Sequence, residues 1–208
     1  MFGGNFQTWK LHSAQDYFMF FAYILAGVLV FWLIAKHMNK QRNHEKAVEK
    51  VSGRLKKICG KPSEVLKNAT LNLPEGKMTF DVVLMDKRGV YLVRTYGWGI
   101  KIYGTPDGAM WRREDAKRKE EFENPLLELK KGAEEITKVM EENGVQNLKV
   151  MPMVVFADNF QTPELYLGYG SFSTTYQELK SWYKKQSGVK EVQYDYDKVS
   201  SIIKRLAK

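Results

Sequence analysis

Cysteine occurs once in this 208-residue chain, at Cys59, and histidine three times, at His12, His37 and His44. A single cysteine closes no internal disulfide, which suits a reducing compartment. On a helix face Cys59 reads as a small apolar residue. There is no Cys/His cluster at zinc spacing. The histidines are scattered in or beside one N-terminal region and form no triad with Ser or Cys, so triad hydrolysis has no support. Phosphate loops are also missing. Gly97-Trp98-Gly99 and Gly104-Thr105-Pro106-Asp107-Gly108 lack the Gly-x-x-x-x-Gly-Lys-Ser/Thr order and the Gly-x-Gly-x-x-Gly entry to a helix, so both read as turns. No internal repeat or low-complexity tract is present. With 44% apolar and 27% charged residues, wholesale disorder is excluded.

What the chain does have is one long uncharged run, Tyr17 to Ala35 (YFMFFAYILAGVLVFWLIA). As a helix it is about 28 Å long, close to the roughly 30 Å of a bilayer's hydrocarbon. Tyr17, Phe18, Phe31 and Trp32 lie near its ends, as expected at headgroup level. A cleaved signal peptide has a basic n-region and a shorter apolar stretch. Here Asp16 precedes the run and Lys36 follows it, so a retained anchor is expected. Basic residues cluster after the run (Lys36, Lys40, Arg42, Lys46, Lys50, Arg54), and before it only Lys10 is basic. The positive-inside rule therefore puts the N-terminus outside and the bulk of the chain in the cytoplasm. Lys36, Lys40 and Arg42 are expected at the membrane surface, against anionic lipid. The expected divisions are an extracytoplasmic segment over 1–16, a transmembrane helix over 17–35, a basic juxtamembrane helix over 36–60 and one domain over 61–208.

The juxtamembrane segment places Ala47, Val48, Val51, Leu55 and Ile58 at helical spacing, so it is expected to continue from the anchor and dock one face. Strand candidates follow at 69–73, 79–85, 90–96, 100–103 and 109–112, separated by turns such as Asp86-Lys87-Arg88-Gly89. Trp111 to Lys119, a basic run broken by acids, reads as a solvated loop. Asn124-Pro125 opens a helix with an apolar stripe from Leu126 to Met140. Leu148 to Phe156 reads as a central-strand candidate, although Pro152 argues for an edge or a bulge. Thr175-x-x-Glu178 is a capping box, and Val199, Ile202, Ile203 and Leu206 mark a last helix. The order gives a mixed α/β domain behind a transmembrane helix.

The stretch from Phe80 to Asn124 resembles the nuclease-related domain, or NERD, of the restriction-endonuclease-like superfamily. The matching residues are Asp81 in an apolar strand, Gly89-Val90-Tyr91-Leu92-Val93, Gly99, Trp111 and Asn124-Pro125, with a later strand closing at Phe156. Glu45 is the candidate for the glutamate of that family's N-terminal helix. The likeness runs from about Glu45 to Gly168. It implies a restriction-endonuclease-like mixed β-sheet flanked by helices. It also implies an Asp, a Glu and a Lys on adjacent strands, with the carboxylates holding Mg²⁺ for phosphodiester cleavage.

The departures lie in that chemistry. Arg94 stands where the resemblance places the Glu, and Tyr96 where it places the Lys. A guanidinium has no acceptor and stays charged, so it repels a cation; pairing with Asp81 across the hairpin is expected instead. No catalytic set, metal or cofactor is therefore expected. The leading expectation is a catalytically inactive domain that binds or scaffolds at the membrane, with lipid and a protein partner or a second copy of itself. The alternative is a tethered Mg²⁺-dependent nuclease whose site has moved to Glu45, Glu64 and Asp81. A third is nucleic-acid binding without cleavage, suggested by the net charge of +9.

Overall fold

The computed structural model describes residues 14–41, 43–115, 118–158, 161–185 and 194–207. The expected extracytoplasmic segment up to residue 13, with Lys10 and His12, lies outside the described residues, as does Arg42. The chain divides into two compact units, Met1–Lys40 and Gln41–Lys208.

Helix α1, Ala14–Gln41, runs through the described part of the first unit and contains Lys36 and Lys40. Its stretch from Ala14 to Lys36, 23 residues with none of it buried, is long and apolar enough to cross a membrane. At about 1.5 Å per residue it measures roughly 35 Å. Lys36 Nζ lies 4.7 Å from the centroid of Trp32, so the first cation after the apolar run sits over the face of an aromatic ring.

The expected continuous helix from the anchor through Cys59 does not form. Asn43 is extended, and its side chain accepts from the Glu45 backbone N–H at 3.0 Å, starting a separate helix α2, His44–Ile58. Asparagine is among the best N-cap residues, and its capping bond competes with helix continuation. Ala47, Val48, Val51 and Leu55 on α2 are buried, as their spacing predicts.

Two sheets follow. The larger has the order β1-β2-β3-β7-β9, with β1 Ser63–Leu73, β2 Gly76–Asp86, β3 Gly89–Tyr96, β7 Val150–Phe156 and β9 Ser173–Thr175. The first three strands are an antiparallel meander; β7 is parallel to both β3 and β9. The smaller sheet has the order β6-β5-β4-β8, with β4 Lys101–Gly104, β5 Met110–Glu114, β6 Lys119–Glu123 and β8 Glu164–Leu167. Helices α3 (Pro125–Glu142), α4 (Leu179–Lys185) and α5 (Tyr196–Leu206) complete the second unit. One apolar cluster joins Phe80, Leu92, Leu129, Ile136, Val154, Ile203 and Trp111. A second, on the other sheet face, joins α2 and α4 through Val51, Leu55, Val82, Tyr91 and Leu179. The expected mixed α/β architecture is what forms.

Particular elements differ from expectation. β1 is longer than 69–73 because Asn68 takes a left-handed φ of 48° and lets the strand continue past a kink. Residues 111–114 and 119 of the 111–119 run lie in β5 and β6 and not in a loop: Glu114 pairs with Lys119 at 3.2 Å, and Arg113 hydrogen-bonds Glu120 with its Nε at 2.9 Å. Cross-strand charge pairs supply what the missing apolar alternation does not. Pro152 sits in a central strand, paired with Leu92, but β9 reaches only Val154 to Phe156. At the proline the strand therefore has a neighbour on one side alone, which spares the missing N–H.

Candidate functional site around Asp81

Asp81 lies near the middle of β2, yet the ladder skips it on both sides. Its flanking pairs are Lys67 with Val82 and Ala69 with Phe80 toward β1, while pairing with β3 begins at Val82–Val93. Kinked Asn68 is the residue left facing it. Freed from the ladder, Asp81 is 3% exposed and turns its carboxylate onto the end of β3. Oδ2 accepts from the Thr95 backbone N–H at 2.6 Å and the Thr95 hydroxyl at 3.1 Å. Oδ1 accepts from Arg94 Nη1 at 3.3 Å and lies 3.3 Å from His44 Nε2.

The expected cross-hairpin pair thus forms, but the fork is shared. Arg94 gives Nη1 to Asp81 and Nη2 to Glu128 of α3 at 2.6 Å. Its side chain is 20% exposed. Burial works against its charge; the Asp81 and Glu128 carboxylates outweigh that and hold its pKa above the ordinary value.

Tyr96, at the other substituted position, faces the core. Its ring stacks on Phe156 at 5.5 Å and packs against Trp98 at 4.7 Å and Phe122 at 5.5 Å. Burial pushes its phenol up to about 12. Aromatic packing is what this position holds.

The other carboxylates are placed differently. Glu45 is exposed in the first turn of α2. Glu64 pairs opposite Met85, so about four strand positions, or roughly 13 Å, separate it along the sheet from the level of Asp81. It accepts from Ser200 Oγ at 2.8 Å and pairs with Lys204 at 2.9 Å. Burial opposes its ionisation, but these two partners hold its pKa below the ordinary range. Sequence reasoning missed Glu128 and His44 as neighbours of Asp81. Glu128 follows the Asn124-Pro125 cap by one turn, a position that only the packing of α3 brings to β3. His44 is the first residue after the Asn43 cap, and that cap is what orients it.

The remaining motif residues build the frame. Gly89 has φ 145°, and a Cβ there would collide with the Lys149 carbonyl, which accepts from the Val90 N–H at 2.9 Å. Gly99 has φ 121°, and a Cβ there would meet Ile102 at 2.8 Å. Trp111 is 1% exposed and donates Nε1–H to the Thr105 carbonyl at 2.9 Å. Asn124 caps α3 by accepting from the Leu126 N–H at 3.0 Å, and its amide donates to the Gly108 carbonyl at 2.7 Å. Pro125 takes the first helical position. Together they lock the 105–108 turn to the start of α3.

An Asp in β2, Gly89 opening β3, Trp111, and Asn124-Pro125 at the α3 cap form an ordered set along the chain. The family model described as the nuclease-related domain matches residues 40–157, more than half of the chain. The chain belongs to the nuclease-related domain family. No curated protein matches it, and no solved structure does. The match covers α2 through the end of β7, so the Asp81 site lies wholly within the NERD segment.

The NERD resemblance implies Mg²⁺ at this place. A hard divalent cation takes several free oxygens. Asp81 instead meets protein donors at both oxygens, and a guanidinium stands between it and Glu128. Among the described residues no group of three His, Cys, Asp or Glu side chains is spaced to hold a metal. This donor set does not fit Mg²⁺.

Proposed function

We propose that this chain is a membrane-anchored NERD domain that does not cleave nucleic acid and serves as a binding or scaffolding component of a membrane-associated complex. The observation that carries the reading is the Arg94 bridge. One side chain supplies the positive charge that the Asp81 carboxylate needs in its buried setting, and it ties that carboxylate to Glu128. A cation delivered by the chain itself does the electrostatic work of a metal without providing a Lewis acid or an activated water. Helix α1 supports the anchor, and the basic residues after it favour a cytoplasmic domain with the N-terminus outside. The partners in this reading are anionic lipid and another protein, or a second copy of the chain.

The test is an incubation of the full chain, in mild detergent, with plasmid, single-stranded DNA and RNA in Mg²⁺ or Mn²⁺, beside Asp81→Ala. No cleavage in any lane is expected. Cleavage by the parent chain that Asp81→Ala abolishes would overturn the reading.

One observation favours a second reading, a membrane-tethered metal-dependent nuclease with a rearranged site. Asp81 and Glu128 meet the same guanidinium; the reading requires Arg94 to leave both carboxylates, since with Arg94 in place the donor set does not fit Mg²⁺. Ligation there predicts protection of both carboxylates on adding Mn²⁺, read as paramagnetic broadening around β2 and α3.

A further inference from the structure

Helices α2 and α4 carry a charge pattern that the Asp81 site does not use. At 3.6 residues per turn, Lys46, Lys50, Arg54 and Lys57 fall within an arc of about 80° on α2. That arc is on the side toward α4: Arg54 donates Nη2–H to the Gln177 carbonyl at 3.2 Å and lies 4.6 Å over the Tyr176 ring. Glu45 and Glu49 lie toward the opposite edge of the exposed surface of α2, away from α4. On α4, Leu179 and Tyr183 turn inward, while Lys180, Lys184 and Lys185 are exposed. Glu178 is the nearby acid, with its backbone N–H held by Thr175 Oγ1 at 3.2 Å.

Several bases elsewhere sit beside acids, as in Lys130–Asp107 at 3.0 Å, Lys131–Glu75 at 2.9 Å and Lys204–Glu64 at 2.9 Å. On the α2/α4 face Lys46, Lys57, Lys180 and Lys185 have no carboxylate partner among the described residues.

We propose that the α2/α4 face of the NERD domain is a second membrane contact, a basic surface that lies on the headgroups of an anionic leaflet. The inference rests on the reading of α1 as a membrane anchor. The occupant follows from charge and chain connectivity. The face is cationic, and α2 starts three residues after α1 ends. A bilayer that takes α1 is thereby presented to this face at high effective concentration. Basic residues near an anionic surface each favour the bound state by about fivefold, so the α4 lysines act together. Binding here would restrain a domain otherwise held by a short tether and fix which surface faces away from the membrane.

The test reconstitutes the full chain, with Ser181→Cys carrying an environment-sensitive dye, into nanodiscs with a headgroup-attached quencher. One set contains phosphatidylcholine alone and the other equal parts phosphatidylcholine and phosphatidylglycerol. Buried Cys59 stays unlabelled. Strong quenching is expected only in the anionic discs, and it should weaken as salt rises. Lys180→Glu/Lys184→Glu/Lys185→Glu should lower the bound-to-free ratio at least about a hundredfold, the loss of three cations alone giving that much. Lys77→Glu/Lys138→Glu/Lys149→Glu, the same charge change on exposed residues elsewhere, should leave it unchanged. Equal quenching in both lipids, or equal loss in both variants, would overturn the proposal. So would protection of the dye by an oligonucleotide in the uncharged discs, which would assign the face to nucleic acid. Failure of the chain to enter discs at all sinks the anchor reading first and this proposal with it, an outcome visible before any quenching is measured.

Discussion

Two aspartates on β2 lie five positions apart, and both are almost fully buried, Asp81 at 3% exposure and Asp86 at 2%. Their neighbourhoods differ in kind. Asp81 is met by a charged fork, an amide, a hydroxyl and His44. Asp86 is met by neutral donors. The Tyr183 hydroxyl donates to its Oδ2, the Arg88 backbone N–H donates to Oδ1 at 2.8 Å, and the Tyr194 hydroxyl donates to its carbonyl. Arg88 lies close, but its guanidinium is spent on the Tyr183 ring, 4.2 Å away, and on the Tyr183 carbonyl at 2.9 Å. One buried carboxylate is compensated by charge and the other by dipoles. The first arrangement ties β2 to β3 and α3, and the second closes the β2–β3 turn against α4.

The comparison breaks most sharply at Arg94. Arg94→Leu strips the cation from a buried carboxylate and should cost about 3–5 kcal/mol, read by chemical denaturation in mild detergent. Asp81→Ala added to Arg94→Leu should recover part of that loss, because no stranded charge then remains. A strictly additive double variant would mean that the two groups do not depend on each other. Tyr183→Phe removes one neutral donor from Asp86 and should cost about 1–2 kcal/mol in the same assay. A loss as large as that of Arg94→Leu would erase the distinction between the two ends of β2.

The smallest effect concerns Cys59, which sits beside the Asp86 network. Burial pushes its thiol up to about 12, against a hydrogen bond with Tyr183 that lowers it. At neutral and mildly alkaline pH the thiol is neutral in both folded and unfolded chains, so it makes no pH-dependent contribution. Above the ordinary thiol range the unfolded chain releases a proton that the folded chain keeps until about 12. Stability should fall across that interval. Below it, Cys59 should ignore a thiol reagent until the chain is unfolded; rapid labelling of the native chain would show the pocket to be open.

Much of this was legible in the residues. The β2–β3 hairpin follows from an apolar run, a turn ending in Gly89 and a second apolar run, and that register by itself brings Arg94 opposite Asp81. Asn124-Pro125 announced α3 because both the cap and the fixed φ are local devices. What stayed hidden depended on distance. β6 reads Lys119-Glu120-Glu121-Phe122-Glu123, with one apolar residue, and exists because β5 offers matching charges. Glu128 reaches Arg94, and His44 reaches Asp81, only after α3 and α2 have docked. The Asn43 break was locally visible as a cap, but the helical spacing on either side of it carried the reading across.

The β3–β7 pairing has a consequence for how the chain is made. Val90 to Tyr96 align with Val150 to Phe156, and β4, β5, β6 and α3 are synthesised between them. A polypeptide emerging from its N-terminus therefore holds β1 to β3 as a meander whose β3 edge, later covered by β7, stays bare while about fifty more residues are added. Contacts this far apart in sequence close slowly, and an unpaired β3 edge is a template for another nascent chain. The vulnerable period in this protein's life is the interval between Tyr96 and Phe156 leaving the ribosome.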